Sequence, residues 1–469
     1  VDLSTRTLGE FFARLVATEW HPPGFFLLAY LWTRAFGTGE LALKSLPYLF
    51  SVATIPLVYL LGRRAASEAA GLVAAAAFAL APAAIAYSDM YLYPVMGFFA
   101  TLLACVVTQI RRDRANPKLL AAALIVAVAV VYLHYTALLY LPLLLAWSLT
   151  APSGRRQGFA LAIVLGAALV CFIPWLPVFL QQRHVGVPYL SPMTPGQKAT
   201  QGLWMLINLM PVAPLRAQFV AFVLLCSQTI VLARERALRS DAASLGAIFF
   251  IIVAVIEAQG LPIIRYAVCF YALFCVFIGW VAVAAAQNVA WALKMTQTAR
   301  TVAAAAIGAA VLAANASVAV ANASMAQSGI RAFLSAHPPD PATLYVIAPD
   351  YMAATFAFYA RNSDVRFIGF PKQRQPEVYE VARDADNWND PKAVSNALAT
   401  VRALSQRYAY LDVVADASAR DRGRVPYGKT WTLLARLDRR YRLLDRTLYP
   451  GKIELVYVYR FALKPETTL

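Results

Sequence analysis

The sequence predicts a polytopic α-helical membrane protein that ends in a small α/β domain. Three observations predict it. Hydrophobic residues fill 60% of the 469 positions and charged residues only 14%, and the mean hydropathy is +0.58, outside the soluble globular range. Apolar runs recur at or near the length of about 20 residues that crosses a bilayer. From about residue 338 onward that pattern gives way to short alternating strand and helix segments.

In chain order, residues 1–40 read as an external loop with a juxtamembrane helix. His21-Pro22-Pro23 precedes an apolar run, Gly24 to Phe36, that is too short to span. Two successive prolines fix φ and remove two backbone donors, so the chain turns sharply and enters a pre-organised first helical turn. A further span is expected upstream of Val1. The transmembrane region, 41–325, carries about ten candidate spans, roughly 41–61, 69–87, 94–110, 119–133, 136–150, 159–181, 217–233, 243–258, 262–284 and 301–322. Basic residues fall in alternate loops: Arg63-Arg64; Arg111, Arg112, Arg114 and Lys118; Arg155-Arg156; Arg234, Arg236 and Arg239; Lys294 and Arg300. The positive-inside rule makes that side cytoplasmic, and it explains the net charge of +17 without nucleic acid.

The tail, 326–469, reads as a domain outside the cytoplasm. Its strand candidates are Leu344–Ala348, Val365–Phe370, Tyr408–Val414 and Lys452–Phe461, with helices at Met352–Tyr359, Pro391–Ser405 and Thr430–Arg439. It has neither a Gly-rich phosphate loop nor a Ser-His-Asp or metal cluster, which favours an accessory role. Cys105, Cys171, Cys226, Cys269 and Cys275 all lie in apolar runs without metal-ligand spacing and read as small buried hydrophobes. Asn315 and Asn322 head matches to a glycosylation acceptor, but they lie in or against the last span.

Polar residues at the external ends of spans need a cavity or one another. Asp89, within Tyr87-Ser-Asp-Met-Tyr-Leu-Tyr-Pro94, is placed to accept a proton from a hydroxyl nucleophile. His134 and Tyr135 occupy an external turn, and Arg265-Tyr266 opens a span on the side where arginine is disfavoured, as a phosphate clamp would. Arg183, His184 and Lys198 lie in the long 182–216 loop, which is rich in proline and aromatics. His21, Asp89, His134, Arg183 and Arg265 all map to one side under a topology drawn from loop charge alone. A carboxylate, imidazoles and a guanidinium at the bilayer edge suit chemistry on a lipid phosphate.

Four stretches in order carry a resemblance: Glu19-Trp-His-Pro-Pro-Gly-Phe-Phe26, Ile55-Pro-Leu-Val-Tyr-Leu-Leu-Gly-Arg-Arg64, Tyr87 to Pro94, and Tyr132-Leu-His-Tyr-Thr-Ala-Leu-Leu139. Over roughly residues 1–285 the chain resembles bacterial members of the protein mannosyltransferase/aminoarabinose transferase superfamily, glycosyltransferases of GT-C fold. The resemblance implies inverting transfer of a sugar from a polyprenyl-phosphate donor to a protein, lipid or glycan acceptor outside the cytoplasm, in a bacterial inner membrane. It implies that Asp89 is the second of two catalytic acids. The first, part of an Asp-Glu pair, is expected upstream of Val1, with Asp2 a weak substitute. Tyr91 stands where the family often has an arginine. The substrate-binding set is then His21, Tyr91, His134, Tyr135, Arg183, Lys198, Arg265 and Tyr266, with no cofactor and no metal. Two other readings share the external polar groups, a flippase for a lipid-linked sugar and a non-catalytic envelope scaffold. The flippase reading expects internal repeats or helices broken at matching positions in two halves, and the sequence shows no such repeat.

Overall fold

The computed structural model describes residues 7–113, 116–152, 154–184, 194–234, 240–259, 264–326, 328–372, 389–417, 427–452 and 454–463. The chain divides into two compact units, one of 1–12, 21–179 and 193–320, the other of 13–20, 180–192 and 321–469.

Helices dominate up to residue 324. They are α1 (Leu8–Thr18), α2 (Pro23–Phe36), α3 (Glu40–Ala65), α4 (Glu68–Leu80), α5 (Pro82–Tyr87) and α6 (Tyr93–Arg112). Next come α7 (Pro117–Leu133), α8 (Ala137–Ser148), α9 (Arg155–Val170), α10 (Leu176–His184) and α11 (Pro195–Asn208). The series closes with α12 (Leu215–Arg234), α13 (Asp241–Ala258), α14 (Ile264–Val268), α15 (Tyr271–Ala292) and α16 (Gln297–Ser324). Among the described residues, seven segments are long and apolar enough to cross a membrane: Glu40–Ala65, Tyr93–Arg112, Arg155–Gln182, Leu215–Arg234, Asp241–Ala258, Tyr271–Ala292 and Gln297–Ala321. Three shorter apolar helices, α4, α7 and α8, stand where further spans were expected.

Two expectations need correction. The run 69–87 is one segment in the sequence but two helices in the structure, because Pro82 holds Ala81 extended (ψ 130°) and ends α4 there. The span expected over 262–284 begins later and runs further: α14 is separate, and α15 continues from Tyr271 to Ala292.

Small residues set the packing of the bundle. A Cβ on Gly62 of α3 would lie 2.8 Å from the Cα of Gly71 in α4, so the two helices meet backbone to backbone. At the ends of α6 and α13, Asp241 receives Arg111 Nη2 at 3.2 Å and Arg112 Nε at 2.8 Å. Arg112 also donates to the carbonyl of Ala65 at 3.3 Å. Arg111 stacks over Trp147 with 4.1 Å between the guanidinium carbon and the ring centroid, and donates to the Trp147 carbonyl. This pairing ties the ends of α3, α6 and α8 to the start of α13. Lys44 pairs with Glu40 one turn away at 2.5 Å. Asn315 is buried and donates to the carbonyls of Leu80 at 2.8 Å and Pro211 at 2.9 Å, a role incompatible with carrying a glycan. Cys105, Cys269 and Cys275 are buried, whereas Cys171 and Cys226 lie exposed. The expectation of burial fails for these two, which lie on outward faces of apolar segments.

The second unit is built on a five-stranded sheet of β1 (Thr343–Ala348), β2 (Phe367–Gly369), β3 (Tyr410–Asp416), β4 (Arg442–Tyr449) and β5 (Val456–Ala462), in the order β2-β1-β3-β5-β4. β1 pairs in parallel with β2 and β3, while β5 runs antiparallel to β3 and to β4. Alternate residues of β1 face opposite ways, as strand geometry requires. Leu344 and Val346 pack with α19 (Ala393–Leu404) and α20 (Tyr427–Asp438). Tyr345 and Ile347 pack with α17 (Gly329–Ala336) and α18 (Ala353–Ala360). With both faces covered, β1 is buried at every position. Asp412 on β3 is directly opposite Arg460 on β5, and the guanidinium grips the carboxylate through Nε at 2.8 Å and Nη2 at 2.7 Å. β4 escapes the sequence reading because it is an edge strand with little buried surface, so nothing imposes apolar alternation on it.

Candidate functional site

The polar residues of the helical unit assemble around the start of α2. Pro22 is extended at the N-cap (φ −61°, ψ 162°) and Pro23 fills the first helical position, so the chain bends as the diproline dictates. Gly24 then allows α2 to touch the end of α7: a Cβ there would lie 2.5 Å from the Tyr132 carbonyl oxygen. That close approach brings His21 against His134, with ring centroids 5.2 Å apart.

Tyr91 closes the next side. It adopts a left-handed backbone (φ 54°) in the turn between α5 and α6, a conformation that strains a bulky residue by about 1–3 kcal/mol. The turn is held by the Met90 N–H on the Tyr87 carbonyl at 3.2 Å. The Tyr91 ring meets His21 at 6.0 Å, Phe25 at 5.0 Å and Phe26 at 5.8 Å. Asp89 lies in this same turn, two residues before Tyr91 and partly buried. Across the cluster, Tyr266 packs on His134 at 5.4 Å and Tyr93 packs on Tyr266 at 6.3 Å. The Arg265 guanidinium lies over both tyrosines, 5.8 Å from the Tyr93 centroid and 5.5 Å from that of Tyr266.

The electrostatics of this cluster favour an anion. The Thr136 backbone N–H donates to His134 Nδ1 at 3.1 Å, and Thr136 Oγ1 lies 2.8 Å from the same nitrogen. Nδ1 is therefore the acceptor, and the neutral ring carries its proton on Nε2 by this hydrogen-bond geometry. That Nε2–H is buried with no hydrogen-bond partner among the described residues, and the same holds for Nδ1 of His21. Burial, reinforced by the Arg265 charge, holds His21 down to about 4. Burial, then the charges of His21 and Arg265, hold His134 well below its ordinary value. Both imidazoles are accordingly neutral at pH 7, and Arg265 supplies the cation of the cluster. A buried donor without an acceptor, beside a guanidinium that already disfavours further positive charge, fits a negatively charged ligand. Beside the cluster, Thr54, Tyr87, Ser88, Tyr93 and Gly97 help line a cavity of about 20 Å³, enough for roughly one water.

Other nominated residues point elsewhere. Tyr135, next to His134, turns away: its hydroxyl accepts from Trp175 Nε1 at 3.0 Å and its ring meets Phe179 at 4.7 Å. Lys198 donates to the Ala258 carbonyl at 2.8 Å, closing the end of α13. Arg183 is in the last turn of α10 with its side chain outside the described residues, and Asp2 lies outside them altogether. Three polar residues were missed. Tyr93 lies in a motif the sequence singles out. Glu257 is a buried carboxylate near the end of α13 whose two oxygens have no partner among the described residues, and Gln201 Oε1 is buried in the same state. Glu257 packs against α11 where Gly202 leaves room, its Cγ lying 3.2 Å from where a Cβ would stand. An acid within the apolar run Asp241–Ala258 was the legible signal for it.

Comparison with known proteins agrees with this architecture. The sequence matches the family described as dolichyl-phosphate-mannose-protein mannosyltransferase over residues 20–180, the segment from α2 to α10 that carries His21, Asp89, Tyr91 and His134. Among curated protein sequences none matches the chain. The crystal structure of ArnT from Cupriavidus metallidurans in the apo state superposes with a TM-score of 0.55 at 13% identity, over 95% of this chain and 88% of that one. ArnT bound to undecaprenyl phosphate gives 0.51 at 15% identity, over 95% and 89%. The archaeal oligosaccharyltransferase AglB from Archaeoglobus fulgidus, in complex with an inhibitory peptide and a dolichol-phosphate, gives 0.53 at 14% identity, over 94% and 66%. The chain has the GT-C membrane fold, and the resemblance read from its sequence stands.

Proposed function

We propose that this chain is a membrane glycosyltransferase that moves a sugar from a polyprenyl-phosphate donor to an acceptor hydroxyl outside the cytoplasm, in a bacterial inner membrane. The observation that carries the reading is the cluster of half-buried Arg265 and His21 around buried His134 at one end of a GT-C helix bundle. Arg265 holds the lipid phosphate and the His134 Nε2–H donates to it, a charge-assisted contact in a site shielded from water. Tyr91, Tyr93 and Tyr266 wall the cluster, and the apolar helices hold the lipid tail. Asp89 takes the proton of the acceptor hydroxyl as its oxygen attacks the anomeric carbon. The bond from that carbon to the phosphate oxygen breaks, polyprenyl phosphate leaves with the electron pair, and the single displacement inverts the configuration. The tail domain serves acceptor recognition.

Support comes from the match to a lipid-phosphate-sugar-dependent family across the segment carrying His21, Asp89, Tyr91, Tyr93 and His134, and from a neighbour of the same fold crystallised with undecaprenyl phosphate. The test is transfer by the full chain in proteoliposomes, supplied with polyprenyl-phosphate sugars labelled in the sugar and with a membrane extract as acceptor. Donor-dependent labelling of an acceptor, with release of polyprenyl phosphate, is the expected result. Movement of the labelled lipid across the bilayer without transfer would replace the enzyme reading with that of a flippase.

A further inference from the structure

The turn joining α15 to α16 encloses an open cavity of about 420 Å³, lined by Ala290, Trp291, Ala292, Lys294, Met295 and Arg300. Its two charged walls are both cationic. Neither Lys294 nor Arg300 has an ion-pair partner among the described residues. Arg300 is held in place by its own Nε, which donates to the Met295 carbonyl at 3.2 Å. Around the mouth the surface is apolar and aromatic: Trp291 is 82% exposed, Leu293 67% and Val289 51%. Tryptophan beside basic residues at the end of a span is the composition of a membrane interface.

The backbone adds a second observation. Met295 N–H returns to the Ala290 carbonyl at 3.0 Å and Lys294 N–H to that of Trp291 at 3.1 Å, the paired bonds of a Schellman helix end. The position between them must be left-handed, and glycine normally fills it. Here Lys294 fills it, at φ 48°. The sequence accepts a strained backbone to hold an ammonium at this point, and such strain collects where a site is built.

We propose that this turn binds the phosphate headgroup of an anionic phospholipid, clamped between Lys294 and Arg300 with the Trp291 ring at the level of the acyl esters. The loop charges assign this turn to the cytoplasmic leaflet, on the face opposite the His21 cluster, where anionic lipids attract basic segments. The ligand is a membrane lipid and not free phosphate, because the cavity opens through a collar of exposed Trp and Leu that only acyl chains would cover.

The test uses the full chain in nanodiscs of phosphatidylcholine, with or without phosphatidylglycerol, reading melting temperature and the lipid retained in native mass spectrometry. Phosphatidylglycerol should raise the melting temperature of the wild type by several degrees and remain bound. Lys294→Gly separates the site from a purely structural role. Glycine relaxes the left-handed turn, so the variant should melt no lower than wild type in phosphatidylcholine while losing the rise from phosphatidylglycerol. Arg300→Gln should lose part of that rise, and the Arg155→Gln/Arg156→Gln pair, an equal or greater loss of charge at another loop, should keep it. A full rise in Lys294→Gly, an equal loss in the Arg155/Arg156 control, or the same stabilisation from inorganic phosphate alone would each overturn the proposal.

Discussion

The two ends of the helical unit use charge in different ways. At one end Asp241 lies between Arg111 and Arg112, and the buried cation is matched by a buried anion. At the other, Arg265 stands among tyrosines and two neutral imidazoles whose buried Nδ1 and Nε2 atoms have no partner among the described residues. Both clusters link helices distant in sequence. The difference is that the first closes its charges on one another, and the second leaves buried imidazole nitrogens open to a ligand that arrives. Burial of charge alone therefore does not mark a site; a buried donor without an acceptor does.

Variants at the two ends should separate accordingly. The largest effect on stability belongs to the paired end: Asp241→Ala leaves Arg111 buried without a counter-ion, and should destabilise the protein by about 3 kcal/mol. Thermal melting in detergent measures this, and an unchanged melting temperature would break the contrast. Arg265→Ala removes the cation of the other cluster. It should weaken donor binding by about 10–100-fold, the loss of a charged hydrogen bond, with little change in melting and no change in acceptor affinity. Asp89→Asn should cost far more turnover than stability, and unchanged turnover in a well-folded variant would remove Asp89 from the mechanism.

Gly24→Val tests the contact that aligns the cluster. Its side chain meets the Tyr132 carbonyl, so α2 must shift, at a cost of about 1–3 kcal/mol, and donor turnover should fall more than melting temperature. The smallest effect is the pH response. His21 is held near 4 in the free protein, so an unfolded chain with an ordinary histidine takes up a proton first. This contribution to stability is present above about 6.5 and is lost as pH falls towards 4. A bound phosphate raises His21 again, so donor affinity should increase as pH drops from 7 to 5. His21→Gln should flatten that profile.

Much of the architecture was legible because a bilayer imposes length on helices and sign on loops. Alternate loops of a bundle converge on one end, which is why His21, Asp89 with Tyr91, His134 and Arg265-Tyr266 could be assigned to one side from Arg and Lys positions alone. What the sequence hides is direction. His134 and Tyr135 are adjacent, yet one ring joins His21 and the other joins Trp175 and Phe179. Lys198 looks like a substrate cation but closes a helix end, and only the fold shows the Ala258 carbonyl beneath it. Glu257 was visible as an acid in an apolar run, and its value became clear only when α11 was seen to cover it.

The central claim is that the His21–His134–Arg265 end is an anion site for a lipid phosphate. Equilibrium binding of undecaprenyl phosphate to the full chain in nanodiscs tests it most directly, comparing wild type with Arg265→Ala and with Asp241→Asn. Saturable binding that Arg265→Ala weakens by about tenfold or more, and that folded Asp241→Asn retains, is the predicted result. Absence of saturable binding, or equal weakening by both variants, would contradict it.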